Sequence, residues 1–359
     1  MYDIVIAGSG IAGSAIARSL DCNVLILEKN KKVLPKDSGI VSGKFLEHYG
    51  KEFVRHEITE MELVPPSGES FFLRDEEPFA YILHRERLAE HTIKEAKKHA
   101  DFRHESFISM KTSEDRAVVQ TNKGEYECKV VVGCDGAMSS VRKAAGIRPP
   151  TLSVGVMVRE SGLKKGQIRA FFNKKYSPDF FSWIIPQTDE YGLMSGSSSN
   201  KCLEAFRNDN NLAAGNTYAY MIPTGMTRSY SERCLLVGDA CGQNKPLTGG
   251  GIIFSLTGAR HASITIQECL KKNRFDSKFL SAYEKSWRKD ISSEIRKQLL
   301  VRRAYKRLDN NAIDRIFSDF GPHIQRLRGF DYDRFSTSWR HMPKMKLMKF
   351  VISNLPSIL

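Results

Sequence analysis

Tyr2-Asp3-Ile4-Val5-Ile6-Ala7-Gly8-Ser9-Gly10-Ile11-Ala12-Gly13 decides how this chain begins to fold. The first six residues read as a buried strand, and Ala15, Ile16, Ala17 and Leu20 follow the glycines at helical spacing. G-x-G-x-x-G between a strand and a helix is a dinucleotide turn. Gly8 permits the tight reversal, Gly10 lets a pyrophosphate approach the backbone, and Gly13 lets helix and strand pack closely, while the helix N-terminus faces the phosphates. A second strand, Asn23 to Leu27, ends at Glu28, twenty residues after Gly8, where a carboxylate accepts hydrogen bonds from an adenosine ribose. Ala12 within the turn and Lys29 after the acid belong to the same candidate site. Either NAD or FAD suits these residues.

Two later segments choose between them. Lys129-Val130-Val131-Val132-Gly133-Cys134 is another apolar strand, ending in Asp135-Gly136-Ala137-Met138-Ser139-Ser140-Val141-Arg142. Leu235-Leu236-Val237 leads into Gly238-Asp239-Ala240, where an Asp leaves a buried strand beside small residues, as a carboxylate reaching a ribityl hydroxyl requires. Lys245-Pro246-Leu247-Thr248-Gly249-Gly250-Gly251-Ile252 then opens a helix whose free amides suit a flavin edge or a phosphate. With D-G-x-x-S-x-x-R and G-D-A followed by P-x-x-G-x-G in this order, the sequence resembles the FAD-dependent oxidoreductases of the para-hydroxybenzoate hydroxylase type. The resemblance implies FAD as cofactor, with Asp135, Asp239, Gly250, Gly251 and Ile252 around it. It also implies a cofactor contact for Arg85, which begins a helix in Ile82-Leu83-His84-Arg85-Glu86-Arg87-Leu88.

The segment after the D-G motif narrows the family. Ser153 to Val158 and Ile168 to Asn173 alternate as strands do, and Phe180-Phe181-Ser182-Trp183-Ile184-Ile185-Pro186 returns through Tyr191 to Gly196 as a hairpin with a dense aromatic face. Phe181, Trp183 and Pro186 resemble the Y/F-x-W-x-F-P signature of the geranylgeranyl reductase family, and Gly238 to Ile252 resembles that family's G-D-A-A-G-x-x-x-P-x-T-G-G-G-I. The likeness extends over most of residues 1–270. It implies reduction of isoprenoid double bonds in a prenyl lipid precursor, with Phe181, Trp183, Pro186, Tyr218 and Tyr220 against the chain. An external electron donor is expected, whether ferredoxin, a hydroquinone or NAD(P)H. The family's cysteine after the second strand is replaced here by Asp37 or Ser38, so that thiol's role does not carry over, while Ser38 and Gly39 stay as backbone contacts for FAD. Flavin-dependent halogenases carry W-x-W-x-I-P, which Phe181 to Pro186 matches in all but its first position. A halogenase or monooxygenase on an aromatic substrate is therefore the alternative enzyme, and a prenyl-binding escort resembling the GDP-dissociation inhibitors is the non-enzyme alternative.

Composition bounds the rest. At 359 residues, 41% hydrophobic and 27% charged, the chain buries a full core, which excludes disorder and fibrous repeats. No stretch approaches the roughly 18 uncharged apolar residues of a membrane-spanning helix, the uncharged run Pro246 to Ala259 being short and Gly-rich. Seven cysteines form no C-x-x-C pair, arguing against structural zinc or iron–sulfur clusters. Tyr2 to Ala7 begins at once, without a secretion signal, so the cytoplasm is expected. The net charge is +14, and residues 285–359 carry 17 basic against 7 acidic side chains. This excess suits a phosphorylated substrate head and a peripheral contact at the inner face of the cell membrane, centred on the basic amphipathic Pro343 to Ile352. No nucleic-acid partner is expected.

These observations predict an α/β fold: a Rossmann-like FAD-binding domain of the glutathione reductase and para-hydroxybenzoate hydroxylase type, with an inserted antiparallel substrate sheet and a helical C-terminal segment. The expected boundaries are 1–50, 80–150 and 225–270 for the discontinuous FAD domain, 51–79 and 151–224 for the substrate domain, and 271–359 for the basic helical segment. No sequence feature identifies the proton donor.

Overall fold

The strand Tyr2–Ala7 and the helix Ile11–Ser19 form on either side of the glycine turn. The computed structural model describes residues 1–31, 37–163, 165–196 and 199–341. The chain divides into two compact units, Met1–Pro35 with His84–Leu152 and Pro223–Ile295, and Lys36–Leu83 with Ser153–Ile222 and Arg296–Leu359. Residues 36–50 thus group with the second unit and 271–295 with the first.

The first unit is built on a sheet in the order Tyr230–Ser231, Cys234–Leu236, Glu125–Gly133, Tyr2–Ala7, Val24–Leu27 and Asp101–Arg103. Every pair among the last five is parallel. Parallel strands are covered on both faces, which is why Ile4-Val5-Ile6 and Val130-Val131-Val132 are uninterrupted apolar runs, all fully buried. Ala117–Thr121 and Phe107–Thr112 extend Glu125–Gly133 as antiparallel neighbours. The register Ile6 to Val132 on one side and Ile6 to Ile26 on the other brings the turns after the central strands to one edge of the sheet.

The second unit carries a sheet in the order Asn216–Pro223, Leu152–Arg159, Glu190–Ser195, Ser182–Ile185, Ile168–Phe171, Glu60–Val64 and Phe71–Arg74; from Leu152–Arg159 onward it is antiparallel except where Ile168–Phe171 runs parallel to Glu60–Val64. Its inward alternation sends Trp183, Ile185, Met157 and Met194 into one apolar cluster with Ile58, Ile82 and Tyr220. Val158, Phe171, Ile184 and Tyr191 pack on the other face around Phe206 of the helix Ser199–Asp209. A small sheet of Ile40–Val41, Ala80–Leu83 and Val54–Ile58 completes the strands of this unit.

The helical reading of 279–308 resolves into Ser277–Trp287, a π-turn at Arg288–Ser292, and Ser293–Arg307. Within the π-turn the Ser292 hydroxyl donates to the Arg288 carbonyl at 2.6 Å, competing with the regular ladder. The strand expected to run to Asn173 stops at Phe171, because the Asn173 carbonyl accepts from Tyr176 N at 3.0 Å and closes a turn. Pro343 to Ile352 lies outside the described residues.

Within the second unit, a buried ion pair ties Ser293–Arg307 to the aromatic hairpin. Arg302, 3% exposed, donates to Asp179 Oδ2 at 3.3 Å and to Ser153 Oγ at 3.0 Å, and Lys306 Nζ lies 3.2 Å from Asp179 Oδ1. Gly196 makes room, since a Cβ there would fall 3.0 Å from Asp179 Oδ2. Lys174 Nζ donates to the carbonyls of Tyr305 at 2.6 Å and Pro178 at 2.9 Å, and burial lowers its pKa to about 8. Removing one member of such a pair leaves an uncompensated charge in low dielectric. Asp179→Asn should therefore cost about 3–5 kcal/mol, read as a lower midpoint of urea unfolding. Lys306→Ala, at a half-exposed position, should move the midpoint far less.

Candidate functional site

The polar groups of the first unit converge where the parallel strands end. Gly8, at φ +100°, lies so close to the Cys134 carbonyl that no side chain fits, and a Cβ on Gly13 would strike the Gly8 carbonyl. Gly10, by contrast, has nothing within 4 Å of where its Cβ would stand. Gly8 and Gly13 are therefore required by the close approach of two backbones, and Gly10 leaves an open surface at the start of Ile11–Ser19. Ala12 is buried in the first turn of that helix, and Lys29 is exposed.

Glu28 does more than follow the second strand. Its Oε2 accepts from the Ser9 amide at 3.0 Å and the Ser9 hydroxyl at 2.9 Å, while Oε1 accepts from Asn30 N at 2.9 Å. The carboxylate thus braces the glycine turn, and with up to four lone-pair positions it retains capacity for a ribose hydroxyl.

Asp135 Oδ2 accepts from Ser140 N at 2.7 Å and Val141 N at 3.1 Å, capping Ser140–Ala144, while its buried Oδ1 has no partner. Ser139 Oγ accepts from Arg142 N at 2.9 Å. The Arg142 guanidinium, 5% exposed, donates to Ala240 O at 2.8 Å and Ala137 O at 2.9 Å. The D-G-x-x-S-x-x-R motif is thereby fastened to the G-D-A turn. Burial pulls the Arg142 pKa down while Asp135 opposes it.

The turn Gly238–Ala240 is positioned by residues that the motif reading did not single out. Gly238 N donates to Gln243 Oε1 at 2.8 Å, Gln243 Nε2 donates to the Tyr283 hydroxyl at 2.9 Å, and that hydroxyl donates to Leu236 O at 2.9 Å. Gln243 fits only because Gly258, on the helix Ile252–Lys272, leaves it room. Asp239 is half-buried, and its Oδ1 lies 3.0 Å from where a Cβ on Gly251 would stand. Asn244 is fully buried, yet neither its Oδ1 nor its Nδ2 has a partner. Lys245, 4% exposed, runs beside Gly250 at the same helix start. Ile252 is the first residue of that helix, and Arg85 is the half-buried first residue of Arg85–Ala96.

Buried polar atoms without partners are costly and are kept where something else satisfies them. Asp135 Oδ1 and the Asn244 amide are two such places in one unit, alongside a bare glycine turn and the clear start of a long helix. This donor and acceptor set fits a dinucleotide carrying a further polar ring.

In the second unit Ser38 hydrogen-bonds to Glu190, and Gly39 takes φ +70° while its carbonyl accepts from Leu83 N at 3.1 Å. Trp183 is 8% exposed, its ring lies where a Cβ on Gly192 would be, and its Nε1 has no partner. Phe181 is half-buried with its ring centre 5.9 Å from that of Trp183, and Tyr220 packs against Gly155. Pro186 begins a short 3-10 turn after the strand. Tyr218, 38% exposed, lies under Arg159 near the end of the edge strand, apart from this cluster.

The Gln243 bridge yields a direct test of how the G-D-A turn is held. Gly258→Ala should displace Gln243 and lose about 1–3 kcal/mol. Gln243→Ala should cost a similar amount, and the double substitution should cost much less than the sum, read by chemical denaturation in a double-mutant cycle.

No family model matches the chain. It is 27% identical to the digeranylgeranylglycerophospholipid reductase 2 of Methanothermobacter thermautotrophicus, over all of this chain and 98% of that protein. It is 23% identical to the digeranylgeranylglycerophospholipid reductase of Methanocaldococcus jannaschii, over all of this chain and 97% of the other. Among solved structures it matches a geranylgeranyl bacteriochlorophyll reductase-like protein from Thermoplasma acidophilum at a TM-score of 0.87 and 16% identity, covering 99% of each chain. A flavin-dependent brominase matches at a TM-score of 0.70 and 14% identity, over 99% of this chain and all of the other. The structural likenesses establish the fold. Over its full length, then, the chain is similar to proteins named digeranylgeranylglycerophospholipid reductase, and it has the fold of a geranylgeranyl reductase-like flavoenzyme.

Proposed function

We propose that the protein binds FAD and reduces isoprenoid double bonds of geranylgeranyl chains in a prenyl lipid precursor, geranylgeranylglyceryl phosphate or geranylgeranyl diphosphate being the expected type. The observation that carries this reading is full-length relatedness to digeranylgeranylglycerophospholipid reductases in a chain that also presents a dry aromatic sheet face.

Each part has its own task. Gly8, Gly10, Ala12 and Gly13 with the start of Ile11–Ser19 take the pyrophosphate, and Glu28 with Lys29 borders the adenosine ribose. Asp239 takes a ribityl hydroxyl, Asp135 Oδ1 and Asn244 offer polar atoms that nothing else satisfies, and Gly250, Gly251 and Ile252 offer bare amides. Arg85, Ser38 and Gly39 are the remaining cofactor contacts in this proposal. Reduced FAD, when bound, supplies hydride to one carbon of the alkene. Phe181, Trp183 and Tyr220 hold the chain and keep water out, with Pro186 and Tyr218 at the margin. A reductant from outside the chain completes the cycle.

The lipid surface is reached, in this proposal, through Ser293–Arg307. Arg296, Leu300, Arg303 and Arg307 are exposed along it at intervals of three or four residues, with Lys297 exposed beside Arg296 and Leu300 54% exposed among the cations. Among the described residues no helix is long and apolar enough to cross a membrane.

Purified protein should release FAD on denaturation. Glu28→Ala and Asp239→Ala should each lower its occupancy, losing hydrogen bonds to charged groups worth about 1.5–3 kcal/mol; unchanged occupancy in both would displace the cofactor from this site. Under anaerobic conditions the chemically reduced enzyme should add two hydrogens per double bond to geranylgeranylglyceryl phosphate, read by mass spectrometry. Productive oxygen consumption with a phenol or indole, without lipid reduction, would instead favour a monooxygenase or halogenase. Arg296→Glu with Arg303→Glu should abolish cosedimentation with phosphatidylglycerol vesicles while leaving FAD content intact; equal binding would reject the helix as the membrane contact.

A further inference from the structure

The turn that opens Ile252–Lys272 carries a buried polar pair, Asn244 and Lys245, beside an open helix start. The run from Lys245 to Gly250 closes on itself, with Lys245 N donating to Gly250 O at 3.0 Å and Gly249 N donating to Lys245 O at 2.8 Å. Asn244 is wholly buried and Lys245 is 4% exposed, whereas Gly249, Gly250, Gly251 and Ile252 are all partly exposed. Asn244 Cβ lies 3.4 Å from where a Cβ on Gly251 would stand, and Lys245 Nζ lies 3.3 Å from where one on Gly250 would stand. Both side chains therefore lie against the start of the helix, and every residue named here belongs to the first unit.

Two features of this pair point to a ligand and to its chemistry. A helix start is the positive end of its dipole, the first turn of Ile252–Lys272 has no acidic side chain, and a buried ammonium placed there favours an anion. Asp239, whose Oδ1 adjoins Gly251, offsets part of that charge. The Asn244 amide presents a donor and an acceptor, both buried and both without a partner. Its Oδ1 calls for a donor, which an ionised pyrophosphate does not offer, and its Nδ2 calls for an acceptor. The pyrimidine edge of a flavin meets both needs, since it carries N3–H between two carbonyls, and its N1 and C2 carbonyl take up negative charge on reduction.

We propose that Asn244 and Lys245 bind the pyrimidine edge of the flavin, and that Lys245 makes the site hold reduced FAD more tightly than oxidised FAD. This rests on the FAD reading above. When the external reductant delivers two electrons and the ring takes one proton at N5, a single negative charge is left over N1 and the C2 carbonyl. The ammonium attracts that charge, which the oxidised ring lacks. A site that favours one of two states shifts the balance toward it, so Lys245 raises the midpoint potential of the bound cofactor.

Lys245→Met keeps the length of the side chain without its charge. Its preference for reduced over oxidised FAD should fall about tenfold, which for two electrons is a midpoint potential about 30 mV lower, while Lys245→Arg should stay near wild type. Asn244→Leu should weaken FAD about tenfold in both states, yet raise the melting temperature of the apoprotein, because it removes two unsatisfied buried atoms; an asparagine with only a structural role would lower it. ADP carries the adenosine and pyrophosphate without the ring, and should bind wild type, Lys245→Met and Asn244→Leu alike. ADP weakened as much as FAD would put the pair on the phosphates and overturn the assignment, as would an unchanged midpoint potential in Lys245→Met. If Lys245→Met does not fold or takes up no FAD, Asn244→Leu decides, and unchanged FAD affinity there overturns the assignment. Wild-type protein that binds ADP but no FAD removes the flavin reading and this assignment with it.

Discussion

The Arg142 guanidinium joins two turns that are far apart in the sequence. One of its hydrogen bonds ends on Ala137, in the turn after Glu125–Gly133, and the other on Ala240, in the turn after Cys234–Leu236. Both acceptors are backbone carbonyls, and the donor is almost wholly buried. A planar cation with several fixed donors suits this task, since it holds two carbonyls at a set separation where a lysine would hold one. The orientation of Asp135 and the placing of Asp239 both depend on turns that this side chain fixes.

Around that brace the first unit settles most of its backbone groups and leaves a few side-chain atoms unsettled. Glu28 secures the glycine turn, Gln243 and Tyr283 secure Gly238, and Trp287 donates to Ser229 Oγ at 2.9 Å behind them. Asp135 Oδ1 and Asn244 remain without partners. Stability alone would favour apolar replacements at such atoms, so their polarity is explained by the ligand proposed here. The second unit shows the same economy at Trp183 Nε1 and Glu190 Oε1, both on the apolar face of its sheet.

The basic excess of the C-terminal part divides into two uses. Arg302 is withdrawn from solvent and bound to Asp179, where it anchors a helix and serves no exterior partner. Arg296, Lys297, Arg303 and Arg307 lie on the outer side of that same helix. Net charge reports their sum, while burial separates a strut from a surface.

The sequence by itself determined the parallel nucleotide fold, because its signals are local. A strand, a G-x-G-x-x-G turn and a helix follow within twenty residues, and Gly8 and Gly13 are required by contacts that any such turn makes. The aromatic hairpin was legible for the same reason, through its alternation around Trp183. Tertiary structure alone decided which distant groups meet. Nothing near Arg142 in the sequence points to Ala240, nothing near Gly258 points to Gln243, and Asp179 finds Arg302 across more than a hundred residues. Asn244 was invisible as a ligand contact because its character comes from burial without a partner beside Gly251, and a sequence pattern carries neither until the chain has folded.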